Sequence, residues 1–418
     1  MSEPGSDLTP GLSGTIARSA GARGPLAGVT VLDLSWHLAG PYCTLILADL
    51  GATVIKVEAP GSHGGYDPGG FIRHQYKGQD AHYMALNRNK LSVSLNLKSP
   101  EGQEIMRRLV GRADVLFNNF RAGVMDRLGL GYESVKAVNE SIIYVSLSAF
   151  GQDGPYRDRP GVDVVIQAIS GGMSMTGTPG GPPVRAGIPI ADLGGGMWAA
   201  IAILSALRGR DAGLLTGTNL DISLLDGQIA MIPYFSMYYF LDGSVPGPQG
   251  SGGHSPTYGA FECADGRHVV IAVIDQKPWL ALCNALRQDA WPADPRFETA
   301  SKRTENQAAL HELLAAVFAS RSSEEWLERL RAAGLAAGRV NRLDEALNDP
   351  QVRHRKMVTE IDHPLGGALS YVDTPVAFAG FDDQSFSPPL IGEHTHQVLE
   401  ELGITASEQV RLRAEGVI

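Results

Sequence analysis

From residue 28 onward, short apolar runs alternate with longer stretches whose apolar residues recur at helical spacing. The runs at 29–34, 53–58, 92–97, 114–117 and 142–147 read as buried strands. Between the first two, residues 39–50 read as a helix, with Pro41 in its first turn and Gly51 at its stop. A second helix begins at Ser99-Pro100-Glu101 and sets Ile105, Met106, Leu109 and Val110 on one face. The alternation predicts an α/β fold: a Rossmann-like, doubly wound parallel sheet. The rhythm changes after residue 210. Residues 219–225 read as a strand, 243–256 as a Gly/Pro-rich loop, and 258–330 as a smaller α+β unit with helices near 278–288, 304–319 and 323–333. Near the end, Thr405-Ala-Ser-Glu408 reads as a capping box, and Gly416 closes the last helix.

The expected organisation is a disordered tail at 1–25, a large domain at 26–210 and a linker at 211–240. A small domain at 241–335, a second linker at 336–390 and C-terminal helices at 391–418 that complete the large domain follow. A chain of 418 residues is too long for one ordinary core, which fits two domains. The formal net charge of -10 argues against a nucleic-acid binder. No apolar run reaches the roughly 20 residues of a membrane span, so no membrane is expected. Three cysteines, Cys43, Cys263 and Cys283, form no Cys-x-x-Cys pair and suit a reducing cytoplasm. No metal is expected, because His311-Glu312 lacks the second His of a zinc helix and His394 and His396 are crowded at one helix start.

Basic residues cluster at Arg73, Lys77, Arg88, Lys90, Lys98, Arg121 and Arg127. Near the C-terminal ends of parallel strands they suit an anionic ligand, or else an ordinary solvated face. The first turn, Ser35-Trp-His-Leu-Ala-Gly-Pro41, lacks Gly-x-Gly-x-x-Gly, so a nicotinamide dinucleotide is not supported.

One carboxylate, Asp192, lies between a Pro/Gly-rich approach and Gly194-Gly195-Gly196, just ahead of an apolar helix at 197–207. A carboxylate there either caps the helix or attacks a carbonyl whose oxyanion the glycine amides receive.

These motifs together resemble the family III CoA-transferases from about residue 26 to the end of the chain. The likeness is carried by Val31-Leu-Asp-Leu34, Ala39-Gly-Pro41, Leu50-Gly-Ala-Thr-Val-Ile-Lys-Val-Glu58, Asn87-Arg-Asn-Lys90, Ala113-Asp-Val-Leu-Phe-Asn-Asn-Phe120, Gly161-Val-Asp163 with Gln167-Ala168, Asp192-Leu-Gly-Gly-Gly196 and Gly392-Glu-His-Thr395. The resemblance implies an Asp192 nucleophile that forms an acyl–aspartyl anhydride and then an aspartyl-CoA thioester, with coenzyme A as substrate and no resident cofactor. It carries CoA contacts to His37, Leu38, Ala39, Leu95, Lys98, Asn119, Phe120 and Arg127. It makes Asp163 a second active-site acid and Gly250-Ser-Gly-Gly253, with Gly250, Gly252 and Gly253, a mobile shielding loop followed by His254. It also implies a homodimer of interlocked subunits.

Ala59 stands where many relatives have a basic residue, which leaves Arg73 or Arg88 to meet the phosphates. The related α-methylacyl-CoA racemases carry His where this chain has Val162, so racemisation is the second reading. A CoA-binding protein without catalysis is the third. Arg185, seven residues before Asp192, suits the second carboxylate of a small dicarboxylic acid.

Overall fold

A computed structural model describes residues 24–62, 74–253, 255–376, 378–379, 381 and 385–418. The expected tail therefore lies outside the described residues up to position 23, as do Arg73 and His254. The chain divides into two compact units. One comprises residues 1–172, 185–244 and 356–418; the other comprises 173–184 and 245–355.

The larger unit is built on six strands: β1 (Thr30–Asp33), β2 (Thr53–Glu58), β3 (Lys90–Ser94), β4 (Val115–Asn118), β5 (Ile143–Ser148) and β6 (Thr218–Ser223). Their order is β3-β2-β1-β4-β5-β6, and every pairing is parallel. The order reverses between β1 and β4, and ligands of such sheets bind beyond the strands' carboxyl ends at that point.

Alternate strand residues enter two different cores, because successive side chains point to opposite faces. Leu32, Ile55, Leu91, Leu116 and Tyr144 pack on one face with α2 (Pro100–Val110) and with two C-terminal helices, Thr395–Glu401 and Ala406–Ala414. Val31, Val54, Val115, Phe117 and Val145 pack on the other with α1 (Ala39–Asp49) and α4 (Ile190–Asp211). Between them in the chain lies α3 (Asp163–Ile169).

Among the described residues, α4 is the one helix long and apolar enough by length and composition to cross a membrane. Its residues Ala199, Ala200, Ile203, Ala206 and Leu207 are buried in the sheet's core.

The stretch 211–240, expected as a linker, is structured. It forms the edge strand β6, then α5 (Leu224–Ala230) and most of α6 (Pro233–Asp242). Ser223 caps α5 at the Asp226 amide, 3.2 Å away, so the strand passes directly into a helix. The second expected linker is likewise divided. Ala337–Arg339 completes a three-stranded sheet of the smaller unit, and Val358–Asp362 pairs with Ala368–Val372 in the larger one.

The smaller unit sets strands Tyr258–Glu262, His268–Ala272 and Ala337–Arg339 against helices Gln276–Leu286, Gln307–Phe318 and Ser323–Ala332. Its core holds Phe261, Ile271, Trp279, Phe297, Phe318 and Trp326. All three cysteines are buried and free.

Candidate active site

Asp192 is the third residue of α4, inside its first turn rather than ahead of the helix. Pro189 occupies the cap position and supplies no side-chain hydrogen bond. Asp163, the first residue of α3, takes that role across space. Its Oδ1 accepts from the Ala191 amide at 2.9 Å and the Asp192 amide at 3.3 Å. Its Oδ2 accepts from Gln167 Nε2 at 2.6 Å, and Gln167 Oε1 accepts from the Ala186 amide at 2.9 Å. Gln167 is buried and lies one turn after Asp163 on α3.

Two carboxylates thus meet at one helix start, but only Asp163 takes the helix amides. Asp192 is half-buried and faces a like charge. Its pKa rises to about 7, chiefly because burial strips water from the ionised form and secondly because Asp163 repels it.

The glycines after Asp192 do not have the expected role. Gly194, Gly195 and Gly196 lie inside α4, where their amides bond the preceding turn. They are not positioned to receive an oxyanion. They serve close approach instead. A β-carbon at Gly194 would stand 2.5 Å from Met231, and one at Gly195 would stand 2.2 Å from Leu224. One at Gly196 would stand 2.6 Å from the Ala39 carbonyl. Position 196 is one turn after Asp192, and Ala39 opens α1, so the helix that carries Asp192 touches the helix of the first βα turn near both helix starts.

That turn is held from below. Asp33, fully buried at the end of β1, accepts from the Ser35 amide at 2.9 Å and from Thr44 Oγ1 at 2.6 Å. Lys90 Nζ lies 3.2 Å from the same carboxylate, and Lys56 Nζ reaches Ser35 O at 2.6 Å. Asp33 titrates well below the usual carboxylate range: Lys56, Lys90 and two hydroxyls together outweigh its burial, the largest single influence. Above it, His37 adopts a left-handed φ of 63°. Asn119, just past β4, accepts from the Trp36 amide at 3.0 Å and donates to Trp36 O at 2.7 Å. The Phe120 ring lies 6.0 Å from Trp36. Leu38 caps α1 without a side-chain bond, so this helix start is not closed by a side chain.

The other predicted contacts follow strand ends of the same sheet. Leu95 is buried, its side chain in the core and its amide on Glu58 O at 2.7 Å. Lys98 and Arg127 are exposed: Lys98 lies in the turn after β3, and Arg127 ends the short helix Val124–Arg127 that follows β4. The rest of the basic cluster is mostly spent on structure. Arg88 is buried against Asp49 and Asp373, so it cannot replace the base missing at Ala59. Lys90 belongs to Asp33, and Lys77 Nζ donates to Gly366 O at 2.9 Å. Arg73 lies outside the described residues.

His394 and His396 have separate partners, the Ser92 amide and Gln409. Gly250, Gly252 and Gly253 belong to the smaller unit. The Gly250 amide donates to Gly177 O at 2.7 Å, and Gly253 packs so close to Tyr258 that a β-carbon would lie 2.8 Å from its ring. Val162 directly precedes Asp163 and is 61% exposed, with no imidazole at that position. Gln167 was legible only as part of a motif; its spacing of four from Asp163 on a short helix is the signal for its role.

A family model described as CoA-transferase family III matches residues 26–395. An acyl-CoA transferase of Fusarium pseudograminearum is 36% identical over 96% of this chain and 90% of its own length. A mouse succinyl-CoA:glutarate CoA-transferase is 34% identical over 90% of this chain and 86% of its own. The crystal structure of a CAIB/BAIF family protein from Brucella suis superposes with a TM-score of 0.80 at 34% identity, covering 91% of this chain and all of that one.

Proposed function

The chain belongs to CoA-transferase family III, and from that membership we propose that Asp192 is the nucleophile through which it moves coenzyme A from an acyl-CoA thioester to a carboxylic acid. The supporting observation is a half-buried carboxylate with its pKa lifted to about 7, anchored at a helix start by Asp163. A more basic carboxylate is a better nucleophile, and above pH 7 it is ionised.

In the first step an Asp192 oxygen bonds to the thioester carbonyl carbon. The carbon–sulfur bond breaks, and coenzyme A leaves as thiolate with the electron pair. The thiolate then attacks Cγ of Asp192, expels the donor acid as carboxylate and leaves an aspartyl-CoA thioester. An acceptor carboxylate attacks the same Cγ and releases the thiolate. The thiolate attacks the acceptor's carbonyl carbon, which restores Asp192 and yields the new thioester.

Coenzyme A would lie along His37, Leu38, Ala39, Asn119 and Phe120, with its phosphates drawn to the uncapped start of α1. Exposed Lys98 and Arg127 add charge, and Leu95 offers its backbone. Gly250, Gly252 and Gly253 would shield the intermediates from water. A homodimer accounts for the apolar side chains exposed on α4 and α6, among them Met197, Trp198, Ile201, Phe240 and Leu241. A reducing, cytoplasmic setting suits the three free thiols.

Incubating the protein with acyl-CoA should place a mass adduct on the Asp192 peptide, removable by hydroxylamine. Asp192→Ala should fold, bind coenzyme A and transfer nothing. Rapid exchange of the α-hydrogen of a 2-methylacyl-CoA in deuterated water, with no adduct, would instead establish racemisation.

A further inference from the structure

Arg185 is exposed and makes no ion pair among the described residues. Its Nη1 donates to the carbonyl of its own neighbour, Ala186, at 3.3 Å. Elsewhere in the larger unit Arg88 and Arg210 each pair with a carboxylate. Arg185 is also tied to the nucleophile. The next residue's amide is bonded to Gln167, Gln167 to Asp163, and Asp163 to the amides of Ala191 and Asp192. The middle of this path is a buried side chain, so the backbone at 186 and the backbone at 192 keep a fixed separation. A short loop, Gly187-Ile-Pro189, and the first turn of α4 close the ring.

We propose that Arg185 recognises the far carboxylate of a dicarboxylic acid whose near carboxyl reacts at Asp192, and that Gln167 is the positioning residue that sets the distance between them. The inference rests on Asp192 as the reacting group. A planar guanidinium accepts a carboxylate through two parallel hydrogen bonds, which is a length-selective contact when the other end of the acid is fixed. A monocarboxylic acid leaves the guanidinium with water. The succinate and glutarate in the name of the mouse relative are dicarboxylic acids, which accords with this choice for that protein.

The test compares four substrate pairs with the full-length protein: succinyl-CoA or butyryl-CoA as donor, glutarate or valerate as acceptor. The wild type is expected to favour both diacid partners. Arg185→Gln should raise KM for succinyl-CoA and glutarate by roughly 10- to 100-fold, the effect of losing a hydrogen-bonded charge. It should leave kcat, and the constants for butyryl-CoA and valerate, unchanged. Arg185→Lys should recover part of the preference. Gln167→Leu should weaken the preference and also lower kcat, because it frees Asp163 as well. A wild type that transfers to valerate as well as to glutarate overturns the inference, as does an Arg185→Gln variant that keeps the diacid preference. Neither result touches the transferase reading. A wild type that transfers with none of the four pairs and gains no adduct at Asp192 overturns both.

Discussion

Gly196 lies against the carbonyl of Ala39, so near that a β-carbon on position 196 would sit 2.6 Å from that oxygen and 3.4 Å from the Cys43 amide nitrogen. Both neighbours are backbone and cannot rotate away. Gly196→Ala should therefore force α4 from α1, at a cost of about 1–3 kcal/mol. Thermal denaturation should show a lower melting temperature, and a coenzyme A titration a weaker affinity. Unchanged values in both would mean that the two helices are not in contact at this point.

The raised pKa of Asp192 has two consequences of definite sign. As the proposed nucleophile the group must be ionised to attack, so kcat/KM should fall as pH drops below about 7. Asp163→Asn keeps an oxygen for the helix amides and removes the repelling charge. Its acidic limb should move to lower pH, though not to 3.8, because burial is the larger cause. A pH–rate profile measures the shift, and a limb that stays in place refutes the electrostatic part.

The same group should weaken the fold at high pH. The folded protein holds this proton up to about 7, while an unfolded chain releases it near 3.8. Stability from this site is complete below 3.8 and is lost as pH rises to 7. Asp192→Asn should match the wild type at pH 4 and exceed it at pH 8, by a few kcal/mol at most. Urea titrations at the two values decide the matter.

Lys98→Ala and Arg127→Ala should weaken acyl-CoA binding and barely alter kcat. Both side chains are exposed, past the ends of β3 and β4, and contacts remote from the reacting carbon contribute equally to ground and transition states. Isothermal titration with coenzyme A is the direct reading; full affinity in both variants would move the nucleotide elsewhere.

Asp33→Ala should be far more damaging than its distance from Asp192 suggests. It would strand Lys56 and Lys90 without their shared carboxylate in a dry core. Removing one member of such a cluster costs about 3–5 kcal/mol. Chemical denaturation should show this loss, and a variant as stable as the wild type would mean that water reaches the two ammonium groups.

Much of this molecule was readable from local pattern. The strand at 53–58 and the helix starts at Ala39 and Pro100 lie where period, Pro and Ser indicate. The Thr405–Glu408 capping box forms with both of its reciprocal bonds. What escaped is what depends on neighbours distant in sequence. Three glycines after Asp192 look alike as donors for an oxyanion or as packing surfaces; only Met231, Leu224 and Ala39 decide between the two. Lys90 and Arg88 look like ligands for an anion until Asp33, Asp49 and Asp373 are brought beside them. Asp163 precedes Asp192 by 29 positions, so no helical or strand period connects them.

The two C-terminal helices cover one face of the sheet, with Val398, Leu399 and Leu412 packed on strands from the first third of the chain. A ribosome makes residues 245–355 before it makes 395–418. The smaller unit can thus close its core on the nascent chain, while Leu32, Ile55 and Leu91, already met by α2, still await the rest of their cover. During that interval the sheet presents apolar surface to water, which is the condition that recruits chaperones and invites aggregation. The same long separation between partners makes the larger unit the slower to fold.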